Sequence, residues 1–440
     1  MSSDDATALR GQVVTFIDDP FVVSPTDAMQ FWSDGVVVMR SGIIEAVGAA
    51  DDVLPAWPGI QVERFADDLI LPGFADCHVH YPQLGVIASY GARLFHWLNT
   101  YTFPEELKFS DPQYASTIAE RFLDELARNG TTSACVYATV HTTSVSALFE
   151  AAEARGIRIA TGKMMMDRNA PPGLTDTVQS SYDESIALAR MWHGRGRLTY
   201  AVSPRFAPTS TAEQLEAAGA VWDAYPDALL QTHMSEQTDE LKTVADLFPN
   251  ARDYLDVYAS AGLVRPGANF GHAIHLTDRE RDALRDAGAG VSHCPTSNLF
   301  LGSGLFDLAG LRTDTDTVPV GLGTDVGGGT SFSMLATMQD AYKIAQLRGI
   351  SLHPICAFYL ATVGSAAVMC MTDKVGSLEP GREADLIVLD PNATPVLAER
   401  CGRAETISDV LFALMILGDD RVVRRTVSAG KTLYARDTTA

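Results

Sequence analysis

The sequence predicts an α/β protein: a (β/α)8 barrel of the TIM type beside a small discontinuous β-sandwich domain built from both chain termini. Three observations carry this expectation. At 440 residues the chain exceeds the ~250–300 residues at which single cores stop growing, so two domains are expected. Its middle alternates apolar strand-like runs with helical stretches eight times. Each end instead carries short β-type runs broken by turns. Residues 1–70 with 378–440 are therefore expected to form the small domain, and 71–377 the barrel. A doubly wound open sheet is the competing arrangement, but eight strand-then-helix repeats in one such block favour closure.

The elements follow in order. Runs at 12–17, 35–39, 43–47 and 61–65 read as strands of the small domain. Barrel strands are expected to end near His80, Val140, Asp167, Arg205, Glu236, His275, Asn298 and Asp325, with amphipathic helices such as 112–129 and 211–225 between them. Gly381 marks a turn before two further strand-like runs, 384–390 and 421–427, which pair with the N-terminal ones.

Composition narrows the function. Hydrophobic residues make up 46% of the chain and charged residues 20%, as in a packed globular protein. The formal charge of -22 (33 Lys+Arg against 55 Asp+Glu) repels polyanions, so neither nucleic acid nor an anionic membrane is an expected partner, and a neutral small molecule fits better. The six cysteines form no CxxC pair, as expected of free thiols in a reducing compartment. Residues 1–10 lack the basic start and apolar core of a signal peptide, and no run reaches ~18 apolar residues; the expected location is cytoplasmic.

The chemistry gathers at strand ends. His78 and His80 lie two apart on a strand, so their imidazoles leave the same face and can converge on one ion, while Cys77 and Val79 point the other way. His233 closes the apolar run 229–233, with Glu236 three residues on. Either His272 or His275 closes the next strand, and the pattern leaves that choice open. His293 opens the seventh strand end, whereas His96, His141, His193 and His353 read as surface or packing residues. Asp325 ends the buried-looking run 318–324; a helix N-cap is its bland alternative, as a helix-start carboxylate is for Glu236. Three histidines and an aspartate, with water completing the shell, suit zinc or another borderline divalent ion acting as a Lewis acid. Such an ion lowers the pKa of its water to roughly 7, which points to hydrolysis rather than redox chemistry.

Taken together, His78-Val79-His80 after Pro72-Gly73-Phe74-Ala75-Asp76, followed by strand-end His233, His272 and Asp325, resembles the amidohydrolase superfamily over essentially the whole chain. Four local segments are similar to the guanine deaminase group within it: 78–83 (HVHYPQ), 97–105 (WLNTYTFPE), 203–206 (SPRF) and 233–236 (HMSE). The resemblance implies one zinc per chain on His78, His80, His233 and Asp325, with Gln83, Arg205 and Phe206 contacting guanine and His272 near the water or substrate. It also implies a homodimer. The fourth strand offers Arg205 and no lysine, so the carboxylated lysine of binuclear members has no counterpart there, and Lys163 reads as structural.

The resemblance implies hydrolytic deamination of guanine to xanthine and ammonia in purine catabolism. Asp325 takes a proton from the attacking water, Glu236 carries protons to ring N3 and the departing amine, and His272 orients the oxygen. Arg205 suits the O6 carbonyl and Gln83 a mixed donor and acceptor edge, with Phe206 stacking on the base. Rival readings are a related deaminase acting on 8-oxoguanine, cytosine or an s-triazine, or a non-catalytic scaffold. The H-x-E and P-C-x-x-C elements of the cytidine deaminase type are absent.

Overall fold

A computed structural model describes residues 6–91, 93–312 and 317–436. The outermost parts of the expected small domain, residues 1–5 and 437–440, lie outside the described residues, as does the first half of the stretch read for a leader.

Four N-terminal strands, β1 (Ala6–Phe16), β2 (Met29–Arg40), β3 (Ile43–Ala49) and β4 (Gln61–Pro72), come before the barrel. Its strands are β5 (Phe74–His80), β6 (Thr131–Tyr137), β7 (Arg158–Gly162), the short β8 (Met164–Met165), β9 (Leu198–Pro204), β10 (Leu229–Met234), β11 (Ala268–His272), β12 (Gly290–His293) and β13 (Val320–Leu322). Then follow β14 (Leu386–Leu389), β15 (Val423–Ser428) and β16 (Lys431–Ala435).

The terminal strands hydrogen-bond in the order β16-β15-β14-β4-β1-β2-β3. The small β domain expected from both termini is present, as one continuous sheet curled on itself. Ile44 N donates to Arg382 O and Ala384 N to Gly42 O, both at 2.8 Å, which brings the β3 edge back against the run entering β14. Val13, Val37, Ile44, Ile70, Leu386 and Val388 fill the inside of the curl. Burying one face this way removes the need for a second sheet.

The second sheet runs β13-β12-β11-β10-β9-β7-β6-β5, with its paired strands parallel. It closes just beyond β13, where Asp325 N donates to His78 O (2.8 Å) and His80 N to Val326 O (2.9 Å). Every residue of β5 and β6 is buried, as a parallel strand covered on both faces requires. The helix Pro112–Arg128 shows how the cover forms. Asp111 caps it by accepting from Gln113 N, Pro112 starts it, and Ala115, Ile118, Ala119, Phe122, Leu123 and Leu126 make its buried stripe.

Most barrel strands stop a few residues before the positions the hydrophobic pattern marks. The second ends at Tyr137 rather than Val140, the third at Met165 rather than Asp167, and the seventh at His293 rather than Asn298, because Pro295 opens a helix there. Left-handed φ values at Ser235 (+53°), His272 (+69°) and Asp325 (+48°) turn the chain off the strand direction. Helices Pro395–Cys401 and Ile407–Leu417, from the segment expected in the small domain, pack on the barrel: Leu397, Leu411, Leu414 and Met415 join its core, and Gln339 Nε2 donates to Ile416 O (2.6 Å).

At the end of the barrel where strands begin, Arg197 Nη2 reaches both Glu383 Oε2 and Asp385 Oδ2 at 2.6 Å, and Arg158 Nε donates to Glu383 Oε2 at 3.0 Å. This network ties barrel to sheet, and Asp385 is only 2% exposed. Removing one partner leaves a largely buried charge unpaired. Arg197→Ala is therefore expected to lower unfolding free energy by roughly 2–3 kcal/mol in urea titration, just under the ~3–5 kcal/mol of fully buried pairs. Turnover of the folded protein stays unchanged, because Arg197 precedes β9 at the end opposite the site.

Candidate active site

The opposite end of the barrel, where strands finish, gathers the functional side chains. His78 and His80 leave β5 on one face, as their spacing dictates; His233 comes from β10 and His272 from β11. Arg205, Glu236 and Asp325 stand just past β9, β10 and β13. Six of them are buried, and His233 is half-buried. The open choice between two histidines resolves here: His272 faces the cluster, while His275 turns away, its Nε2 2.9 Å from Ser303 O.

His78 Nε2 and His80 Nε2 each lie 3.4 Å from Asp325 Oδ1, and His80 Nε2 lies 3.1 Å from His233 Nε2. One ligand atom from each of these four residues falls within 4.8 Å of the others. A second foursome of that kind exchanges His80 and His233 for His272 and Cys294. Room for the His78 ring depends on two glycines, since a Cβ on Gly271 would meet its Cε1 at 2.3 Å and one on Gly323 its Cβ at 2.6 Å. Asp76 holds the seam, accepting from His78 N at 3.2 Å and Thr324 N at 3.1 Å.

A divalent cation fits these donors. Among the described residues, neither nitrogen of His78 nor Nδ1 of His80 has a hydrogen-bond partner although all three are buried, a costly state unless something coordinates them. His233 Nδ1 donates to Arg205 O (2.8 Å), which leaves the Nε2 lone pair facing the cluster. Burial, the largest cause for each, lowers the pKa of His78 and takes those of His80 and His233 well below the ordinary imidazole value, so all three present neutral, ligand-competent rings. For Asp325 burial acts upward, but the contact with His78 and that with Ser297 outweigh it and hold the carboxyl below its usual range.

Glu236 is the candidate acid of the site. Burial, then the nearby Asp325 carboxylate, pushes it up to about 8. Its Oε2 lies 3.6 Å from His272 Nε2, which is 3.8 Å from Asp325 Oδ2; His272 thus sits between the two carboxyl groups. Asn298 Oδ1, 2.9 Å from His272 Nδ1, fixes that ring. Neither bland alternative applies. Gln237 and Glu240, not Glu236, cap the following helix, and Ser333 caps the helix after Asp325.

The cluster opens onto a small cavity. His80, His233, Glu236, His272 and Asp325 line one part; Gln83, Arg205 and Phe206 line another, under Leu94, Trp97, Leu98 and Leu301. Gln83 Oε1 accepts from Gly327 N at 3.2 Å. The other histidines stand apart: His293 stacks on Phe306 with ring centroids 4.2 Å apart, and His193 pairs with Asp227. Lys163, fully buried, pairs with Asp176 at 2.6 Å and Glu184 at 3.1 Å, outside the cavity. The cysteines are free, four of them buried.

Three residues escape sequence reasoning. Glu106 takes Arg205 Nη1 on both carboxylate oxygens, at 2.8 and 2.9 Å. Ser303 Oγ donates to Glu236 Oε1 at 2.9 Å. Gln237 ties Leu94 N (3.4 Å) to Ser303 Oγ (3.2 Å), linking the cover to the residue that holds the acid. Glu106 directly follows the segment 97–105, its only signal; Ser303 lies in a Gly-Ser-Gly loop with none.

Comparison with known proteins bears on this geometry. The model of the Amidohydrolase family matches residues 69–433. The chain is 44% identical to a guanine deaminase of Escherichia coli K12 over 98% of both chains, and 40% identical to a probable guanine deaminase of Deinococcus radiodurans over 96% of this chain and 97% of that one. A solved guanine deaminase from C. acetobutylicum, with guanine bound in its active site, superposes with a TM-score of 0.88 at 26% identity, covering 98% of this chain and all of the other. Among the described residues, no helix is long and apolar enough to cross a membrane.

Proposed function

This chain belongs to the amidohydrolase family, and from that premise we propose that it deaminates guanine hydrolytically, releasing xanthine and ammonia. One observation carries the reading: one cavity brings together the His–Asp cluster, the Glu236 carboxyl and the donors of Arg205 and Gln83, in a chain alike end to end to guanine deaminases. The metal is zinc, one per chain, held by His78, His80, His233 and Asp325; it supplies Lewis-acid activation of water. The setting is purine catabolism in the cytoplasm, and the expected assembly is a homodimer.

The side chains divide the work. Arg205 donates to the O6 carbonyl, the Gln83 amide meets the mixed edge of the base, and Phe206, with its ring centroid 6.3 Å from that of His233, supplies a stacking face. Glu236 gives its proton to ring N3, which makes C2 electrophilic. As the water oxygen adds to C2, Asp325 takes the first water proton. Glu236, now a carboxylate, takes the proton of the new C2 hydroxyl and passes it to the amine; the C–N bond breaks, ammonia leaves and the C2 carbonyl forms. Asp325 returns its proton to Glu236 past His272, which lies between them. One water is consumed, and its two protons end on N3 and in ammonia.

A substrate panel read by ammonia release tests the assignment. Guanine is expected to exceed 8-oxoguanine and cytosine, and adenine, which offers an amine where Arg205 requires a carbonyl, is expected to fall by ~10⁴-fold in kcat/KM. Equal turnover of adenine and guanine would sink the specificity. Ser303→Ala is expected to lower kcat about tenfold with KM little changed, because one hydrogen bond of ~1–1.5 kcal/mol fixes the Glu236 carboxyl and not the base. Steady-state kinetics on guanine check this.

A further inference from the structure

Glu106 is a buried carboxylate that the mechanism above does not use. It is absent from the cavity lining, yet both its oxygens accept from Arg205 Nη1, and Gln83 Nε2 approaches Oε1 at 3.5 Å. The two residues that read the base edge thus converge on one carboxylate behind them. Phe103 lies under the guanidinium, its ring centroid 5.4 Å from Cζ, so the pair sits in a poorly hydrated place. There an unpaired guanidinium would be a strong anion trap, because water screens it little.

We propose that Glu106 is a positioning residue that sets specificity: it aims Arg205 and cancels its charge, so that the cavity selects a neutral purine over an anionic one. The distinction matters because the product of the proposed reaction, xanthine, is a dione more acidic than guanine. With its charge cancelled, Arg205 still donates to a neutral carbonyl but holds an anionic product less firmly. The inference rests on the guanine reading and adds a discrimination between substrate and product.

The test is the ratio of the competitive inhibition constant of xanthine to the KM of guanine, measured at pH 8 to 9. In Glu106→Gln the ratio is expected to fall about tenfold, with KM for guanine rising and xanthine binding tightening, a split that general loosening of the fold does not produce. Glu106→Asp, which keeps the charge, is expected to fall between this variant and the wild type. An unmoved ratio in folded Glu106→Gln overturns the inference, as does an aspartate variant no better than the glutamine one. If Glu106→Gln does not fold, the neutral pair Glu106→Gln with Arg205→Gln takes its place: weaker guanine binding without tighter xanthine binding is expected, and a tighter xanthine constant contradicts the charge argument. The wild-type arm keeps the two readings apart. No ammonia from guanine defeats the proposed function, whereas wild-type turnover with an unmoved variant ratio defeats only this inference.

Discussion

Glu236→Gln is expected to lose at least ~10³-fold in kcat, with the KM for guanine changed less than about threefold and the metal content intact. The glutamine amide keeps the shape and can still accept from Ser303, but it has no proton to give N3 and none to relay to the amine. The wild type carries a pH signature of the same group. Glu236 is pushed up to about 8, first by burial and then by Asp325, so its acid form prevails below that pH and is lost above it. The sign follows: kcat/KM falls as pH rises through about 8, and the residual activity of Glu236→Gln shows no such limb. Retention of near-full turnover by the variant would remove Glu236 from the chemistry.

Asp325→Ala is expected to be more damaging still, because one side chain is assigned two tasks. Its Oδ1 lies 3.4 Å from both His78 Nε2 and His80 Nε2, and Oδ2 faces His272 at 3.8 Å. Losing it leaves three neutral imidazoles with no anionic donor and removes the acceptor of the first water proton. Zinc is expected to drop from one per chain to under about a tenth after dialysis, and kcat to fall by ~10⁴-fold or more, which is over ~5 kcal/mol of barrier. Elemental analysis beside kinetics checks both. A variant that keeps stoichiometric zinc and loses only activity would assign Asp325 to proton transfer alone.

Much of this arrangement is legible in the chain because its causes are local. Spacing of two on a buried strand puts His78 and His80 on one face, and a strand running into a loop delivers His233 and Asp325 to the barrel mouth. The identity of the histidine on β11 was not legible, since His272 and His275 both follow an apolar run. A left-handed turn at His272 and Ala273, not hydrophobic pattern, decides it. The strand ends were overshot for the same reason: apolar residues continue past the last ladder bond into buried loops. Glu106 and Ser303 were invisible because their roles depend on contacts 99 and 67 residues away along the chain, with Arg205 and Glu236. The curl of the terminal sheet was likewise hidden, being set by pairing of Gly42 and of Ile44 at the start of β3 with residues 382–384.

The central claim, that one cavity performs hydrolytic deamination of guanine, is met most directly by following guanine with purified zinc-loaded protein in the ultraviolet while ammonia is measured in parallel. Conversion of the guanine spectrum to that of xanthine through fixed isosbestic points, with one ammonia released per guanine consumed, is the expected result. An unchanged spectrum and no ammonia, from folded protein carrying its zinc, would contradict it.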